Sequence, residues 1–171
     1  MYCLIVFHPV LKSWGTSKII YKNFYSNGIK HRIRDLPAVK KLNGDEQWWI
    51  KGNLHRENDL PAAVYINGDK EWYYEGYLHR ENNLPAVVLN SGKMYWYCHG
   101  QQYFLQENGT KEFVNIHGKL HRKDDLPAVE YSNGDREWWI KGKRHRIGGP
   151  AVIIGDKEFW FEFGVFIKCS L

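Results

Sequence analysis

A block of 24 residues repeats along this chain, and it constrains the fold more than any other feature. Read from each glycine, the block gives Gly52-Asn-Leu-His-Arg-Glu-Asn-Asp-Leu-Pro-Ala and Gly76-Tyr-Leu-His-Arg-Glu-Asn-Asn-Leu-Pro-Ala. It returns as Gly118-Lys-Leu-His-Arg-Lys-Asp-Asp-Leu-Pro-Ala, with looser copies from Gly28 and Gly142 and a damaged one from Gly100. A fixed period of roughly 20–50 residues means stacked units that bury their faces against one another. The copies run nearly end to end, so the expectation is one continuous array over residues 22–164. A capping segment at 1–21 would precede it, and a strand or tail at 165–171 would follow.

Each copy holds two strand-like stretches. One is Leu60-Pro-Ala-Ala-Val-Tyr-Ile66 and the other spans residues 69–74, with Asn67-Gly68 between them. The same pair recurs as Asn43-Gly44, Asn108-Gly109 and Asn133-Gly134. Asn-Gly between β-rich runs predicts a two-residue type I′ hairpin turn, whose central residues both take positive φ. No stretch shows helical apolar spacing, while aromatic and β-branched residues crowd every unit. The expected fold is all-β: a single elongated, twisted antiparallel meander of about six hairpins. The copy at 100–117 lacks His-Arg and Leu-Pro-Ala, so it should keep its hairpin and lose its loop, leaving a notch at that edge.

Strand alternation sorts the aromatic residues onto two faces. Trp48, Trp72, Trp96, Trp138 and Trp160 should share a core face with Ile50, Tyr74, Cys98 and Ile140. One residue on, Trp49, Tyr73, Tyr97, Trp139 and Phe161 should face the other way, framed by charged neighbours such as Glu71, Glu75 and Glu137. Rows of Trp and Tyr dominate protein interfaces, so this second face is the expected partner-binding surface.

The pattern Trp49-x-x-Gly52-x-x-His55, matched by Trp139-x-x-Gly142-x-x-His145 and with Tyr73 and Tyr97 in the same place, resembles the MORN repeat. The resemblance covers residues 22–164. Arg follows His here (Arg32, Arg56, Arg80, Arg122 and Arg146), where the family has glycine. Together with Leu-Pro-Ala-Val, this wording is similar to divergent MORN-like repeats of large DNA viruses and phages and to bacterial antitoxin-like proteins. The resemblance implies an elongated antiparallel sheet that binds proteins or membrane surfaces without catalysis. A virion component or an antagonist of a host factor fits it, located in host cytoplasm or virion.

The five His-Arg pairs invite other chemistry. Equivalent residues in successive hairpins lie about 9.6 Å apart at ~4.8 Å per strand, too far for two of these histidines to share a metal ion. Each His is instead expected to bond loop backbone, and each Arg to pair with acids such as Glu57, Glu81 or Asp124. Alternatively, the arginines line an edge that grips phosphate, making the chain a binder of nucleic acid or nucleotides. The net charge of +5 permits an anionic partner but is modest. Carboxylates recurring once per unit read as structural, and no nucleophile, phosphate-loop or Cys-x-x-Cys motif is present, so no catalytic residue, metal or cofactor is expected. Self-association through sheet edges is a third possibility.

Cys3, Cys98 and Cys169 are odd in number and unspaced, which argues against a disulfide framework and for a reducing compartment. The apolar run Tyr2-Cys-Leu-Ile-Val-Phe7 is too short for a membrane span and lacks signal-peptide flanks, so a terminal strand is expected there.

Overall fold

In the computed structural model, residues 2–8 and 19–171 are described. The chain is all-β, and it divides into two compact units, Met1–Gly100 and Gln101–Leu171. The division falls at the start of the damaged repeat. Residues 9–18 of the expected capping segment lie outside the described residues, whereas Tyr2–His8 forms a strand along Ile19–Ser26.

Each unit is an antiparallel meander. In the first, Ile19–Ser26 is followed in order by Val39–Lys40, Glu46–Gln47, Ala63–Val64, Lys70–Glu71, Val87–Val88 and Met94–Cys98. In the second, Gln101–Leu105 is followed by Lys111–Phe113, Val129–Glu130, Arg136–Glu137, Val152–Ile154, Lys157–Glu162 and Val165–Ser170. The Leu-Pro-Ala-Val wording is explained by the core. Ala38, Ala62, Ala86, Ala128 and Ala151 are fully buried, next to buried Val39, Val87, Val129 and Val152. The amides of Trp48, Trp72, Phe113 and Trp138 donate at 2.8 Å to the carbonyls of Ala62, Ala86, Ala128 and Ala151.

Trp48, Trp72 and Trp138 are buried as expected, but Trp96 and Trp160 are only half-buried. Ile50, Cys98 and Ile140 are half-buried too, and Tyr74 is exposed. At Ile50, Tyr74 and Ile140 alternation fails because the strand is interrupted at the buried Trp48, Trp72 or Trp138, whereas Trp96, Cys98 and Trp160 lie in the unbroken strands Met94–Cys98 and Lys157–Glu162. The main ladder ends at Gln47, Glu71 or Glu137. The residues just beyond the Trp form separate small hairpins, Trp49–Ile50 with Asn53–Leu54, Tyr73–Tyr74 with Tyr77–Leu78, and Trp139–Ile140 with Lys143–Arg144. Each repeat therefore carries two hairpins and not one.

The Asn-Gly turns also differ from expectation. Gly44 and Gly68 have φ of 98° and 94°, but Asn43 and Asn67 are absent from the left-handed region. The Gly44 amide donates to Lys41 O at 3.1 Å and the Lys41 amide to Asp45 O at 2.9 Å, which closes a three-residue loop with glycine as its bulge. Such a loop needs only one positive φ. Asn serves it differently: Asn43 Oδ1 accepts from the Asp45 amide, and Asn67 Oδ1 from the Asp69 amide. The two-residue turns with paired positive φ sit instead in the small hairpins, at Lys51-Gly52, Glu75-Gly76 and Lys141-Gly142.

The damaged copy keeps more than its wording shows. Phe113, 1% exposed, occupies the place of the buried Trp, and the His121 amide donates to its carbonyl at 3.0 Å. Among the described residues no helix is long and apolar enough to cross a membrane.

Candidate functional site

The His-Arg segment crosses from one small hairpin to the next Leu-Pro-Ala strand through a tight turn, and its residues explain the turn. Asn58 and Asp59 both sit in the left-handed region, at φ 61° and 54°, as do Asn82-Asn83 and Asp124-Asp125. The Leu60 amide donates back to Glu57 O at 3.3 Å, and the Leu84 amide to Glu81 O at 3.2 Å. Asn and Asp tolerate this conformation better than other residues with a Cβ. The turn aims the second Asx carbonyl at a tryptophan 13 residues on: Trp72 Nε1 donates to Asp59 O at 2.9 Å, and Trp138 Nε1 to Asp125 O at 2.9 Å.

The side chain of the same aspartate holds an arginine. Arg56 is bidentate to Asp35 at 2.6 and 2.7 Å, Arg80 to Asp59 at 2.7 and 2.8 Å, and Arg146 binds Asp125 at 2.7–3.1 Å. The face of each guanidinium lies over the ring of Trp48, Trp72 or Trp138, with Cζ 3.8–3.9 Å from the centroid. The acceptors are therefore not the expected Glu57, Glu81 and Asp124 but aspartates one repeat earlier, brought close by the stacking of successive crossing loops. Arg122 departs from this pattern. It lies over Phe113 and binds Glu130 and Pro127 O, while Arg32 lies over Phe24 and donates to Pro37 O. The hydrogen bonds from arginine hold the carboxyls of Asp35, Asp59 and Asp125 below the usual carboxylate range against the opposing effect of burial.

The histidines tie one small hairpin to the next. Nδ1 of His31, His55, His79 and His145 accepts from the amides of Lys51, Glu75, His99 and Phe163, at 3.2, 3.1, 3.3 and 3.4 Å. His121 Nδ1 is buried without a hydrogen-bond partner. The sequence expectation of backbone-bonded histidines corresponds to this ladder, although the bond reaches the following repeat and not the histidine's own loop.

The expected partner-binding row, Trp49, Tyr73, Tyr97, Trp139 and Phe161, is half-buried throughout. Its rings are held by neighbours. Trp49 Nε1 donates to Gln47 Oε1 at 3.2 Å, under the Lys30 ammonium 4.5 Å from its centroid. Tyr73 and Tyr65 both donate to Glu71 Oε2, at 3.0 and 2.9 Å. In the second unit buried Glu137 accepts from Trp139 Nε1 at 2.7 Å, Tyr131 OH at 3.0 Å and Arg144 at 3.1 Å. Arg144 also lies between Trp139 and Phe161, 5.1 and 5.5 Å from their centroids. Burial, reinforced by Glu71, pushes the Tyr65 phenol up to about 12 and Tyr73 higher still.

Two open clefts complete the site. One, of about 510 Å3, is lined by Arg56, Asp59, Trp72, Tyr73, Tyr74, His79 and Arg80. The other, of about 370 Å3, is lined by Arg122, Asp125, Trp138, Trp139, Ile140, His145 and Arg146. These are the same repeat positions in the two units.

One group was outside sequence reasoning. His99 stands at the hairpin-turn position occupied elsewhere by Lys51, Glu75 and Lys141, so it does not belong to the repeated histidine row. The turn brings it beside His79, with ring centroids 4.2 Å apart, and beside Cys98. Strand spacing separates the repeated histidines from one another, whereas His99 reaches His79 from a turn position outside that row.

Compared with known proteins, the chain matches no protein-family model, and no curated protein matches it either.

Proposed function

We propose that this chain is a non-enzymatic, MORN-like β-repeat scaffold that binds another protein, with its inter-repeat clefts receiving side chains of the partner. The observation that carries this reading is the recurrence of one cleft at equivalent positions, floored by a buried Trp and a half-buried aromatic neighbour. Rings pinned by hydrogen bonds lose little further freedom on binding, which is the condition under which an aromatic residue contributes most to an interface. The arginines support the same reading. Arg56, Arg80 and Arg146 already face carboxylates, so a phosphate would have to displace an internal partner carrying the same kind of charge. A virion component or host-factor antagonist remains the setting that the repeat wording suggests, in host cytoplasm or virion.

The test is capture from nuclease-treated native lysate, followed by reconstitution of the complex from purified components. Wild type is compared with a Tyr73→Ala, Trp139→Ala variant whose circular dichroism is unchanged. Truncating hot-spot aromatics costs about 2 kcal/mol or more, so the variant should bind at least ~30-fold more weakly. Affinity should change little between low and high salt. Equal affinity of both chains would remove the aromatic surface from the interface. Capture abolished by nuclease, or affinity falling steeply with salt, would transfer the function to nucleic acid held by the arginine edge.

A further inference from the structure

We propose that His79, Cys98 and His99 form a binding site for a divalent metal ion of the zinc class, independent of the protein-binding reading. One donor atom from each residue lies within 4.8 Å of the others. Zinc holds thiolate sulfur at about 2.3 Å and imidazole nitrogen at about 2.0–2.1 Å, so two such ligands at a tetrahedral angle stand about 3.5 Å apart. Cys98 Sγ and His99 Nδ1 are 3.5 Å apart.

Adjacent residues of a strand point to opposite faces and could not converge in this way. Here His99 lies just beyond Met94–Cys98 and has φ 46°, the left-handed turn that precedes Gly100, and this brings its ring round to the sulfur. The third donor comes from the stacking of hairpins. His79 Nδ1 faces the 98–99 segment, accepting from the His99 amide in a long bond of 3.3 Å. Coordination exchanges that weak bond for one to metal. The other nitrogen of His79 lies 2.9 Å from Glu81 Oε1. A carboxylate accepting from Nε2–H fixes the tautomer that leaves Nδ1 as ligand, the outer arrangement that metal-bound histidines usually have. His79 is buried and His99 exposed, so the ion has a firm inner ligand and a path from solvent. The Cys98 thiol gives its proton to solvent as the metal–sulfur bond forms, and water fills the fourth position.

The neighbouring repeats supply the control. At the two positions of Cys98-His99 other copies carry Ile50-Lys51, Tyr74-Glu75 and Ile140-Lys141, so Ile-Lys occurs there twice. Replacing Cys98→Ile and His99→Lys therefore restores residues that the same hairpin already accommodates, which keeps the fold while removing two ligands. The reduced, metal-free full chain is titrated with Co2+ and then with Zn2+. Wild type should take up one equivalent of Co2+ with thiolate-to-metal charge-transfer and tetrahedral visible absorption, both bleached by Zn2+. Zn2+ should raise its melting temperature. The double variant, melting at the wild-type temperature without metal, should show none of these responses. Absorption missing from wild type, or retained in the variant through Cys3 or Cys169, would overturn the assignment.

Discussion

At the scale of single residues, the chain is organised around aspartate–arginine pairs one repeat apart. Arg80 has its guanidinium between the Trp72 face, 3.9 Å away, and the Asp59 carboxylate. Its side chain is only 16% exposed, although Asp59 is 52% exposed. A planar guanidinium can stack and fork at once, and an ammonium cannot. Arg80→Lys should therefore destabilise the protein by about 1–2 kcal/mol, the combined scale of a cation–π contact and a partly exposed ion pair. Chemical denaturation would measure it, and a double-mutant cycle with Asp59→Asn should return a coupling of about 0.5–1 kcal/mol. A coupling of zero would make the pair ornamental. The pairing has a counterpart in the wording of the chain. Aspartates 35, 59 and 125 each have an arginine 21 residues on, whereas Asn83 has Phe104 there and carries no charge. That relation was legible in the sequence, but only to a search for offsets longer than a strand pair. Glu57, Glu81 and Asp124 are nearer in sequence, and only the 21-residue offset leads to the acceptors Asp35, Asp59 and Asp125.

At the scale of elements, three kinds of turn define the repeat, and they were legible to different degrees. Glycine marks two of them, yet Asn-Gly did not reveal whether one residue or two would adopt positive φ. That depends on loop length, set here by the return of the Lys41 amide to Asp45 O. The Asx-Asx turn was present in every intact copy and could have been read from the left-handed tolerance of Asn and Asp. Its buried dependants, the Trp indoles, are long-range and carry no local signal. Asn82 and Asn83 test the account. Both have φ near 58°, and Asn83 O accepts Trp96 Nε1 at 3.0 Å. Asn82→Gly should be near neutral in thermal melting. Asn82→Val should cost about 1–3 kcal/mol, since β-branched side chains are the poorest fit to this region. Equal melting temperatures for the two variants would mean that this turn does not restrain the fold. The antiparallel hairpin order followed from pattern alone, whereas the buried alanines of Leu-Pro-Ala did not, because a small side chain carries no periodic signal of its own. The break at Trp48, Trp72 and Trp138 did not, because period-2 alternation says nothing about where a ladder stops, and so the exposure of Tyr74 was not foreseeable.

At the scale of the whole molecule, the same residues set the pH range over which the chain is stable. On the acid side, Asp35, Asp59 and Asp125 are lowered by arginine hydrogen bonds. Asp45 is lowered by Asn43, the Ile66 amide and Lys41. A carboxyl whose folded pKa is depressed adds stability above its unfolded value, near 3.8, and loses that contribution as pH falls through the folded value. On the alkaline side the sign reverses. Tyr65 titrates at about 12 in the fold against an ordinary 10.0, and Tyr73, Tyr97 and Tyr131 are raised too, in each case chiefly by burial. A group whose folded pKa is raised adds stability below its unfolded value and loses it as pH rises beyond 10. These two sets of groups should therefore lower the melting temperature below about pH 4 and above about pH 10. The limbs are separable. Asp59→Asn, which keeps the backbone carbonyl that Trp72 uses, should flatten the acid limb and leave the alkaline one. A Tyr65→Phe, Tyr73→Phe variant should flatten the alkaline limb and leave the acid one, although it loses two hydrogen bonds to Glu71 at neutral pH. If both variants melted with the wild-type pH profile, neither the Asp59–Arg80 pair nor the tyrosines on Glu71 would be what ties proton binding to folding in this repeat.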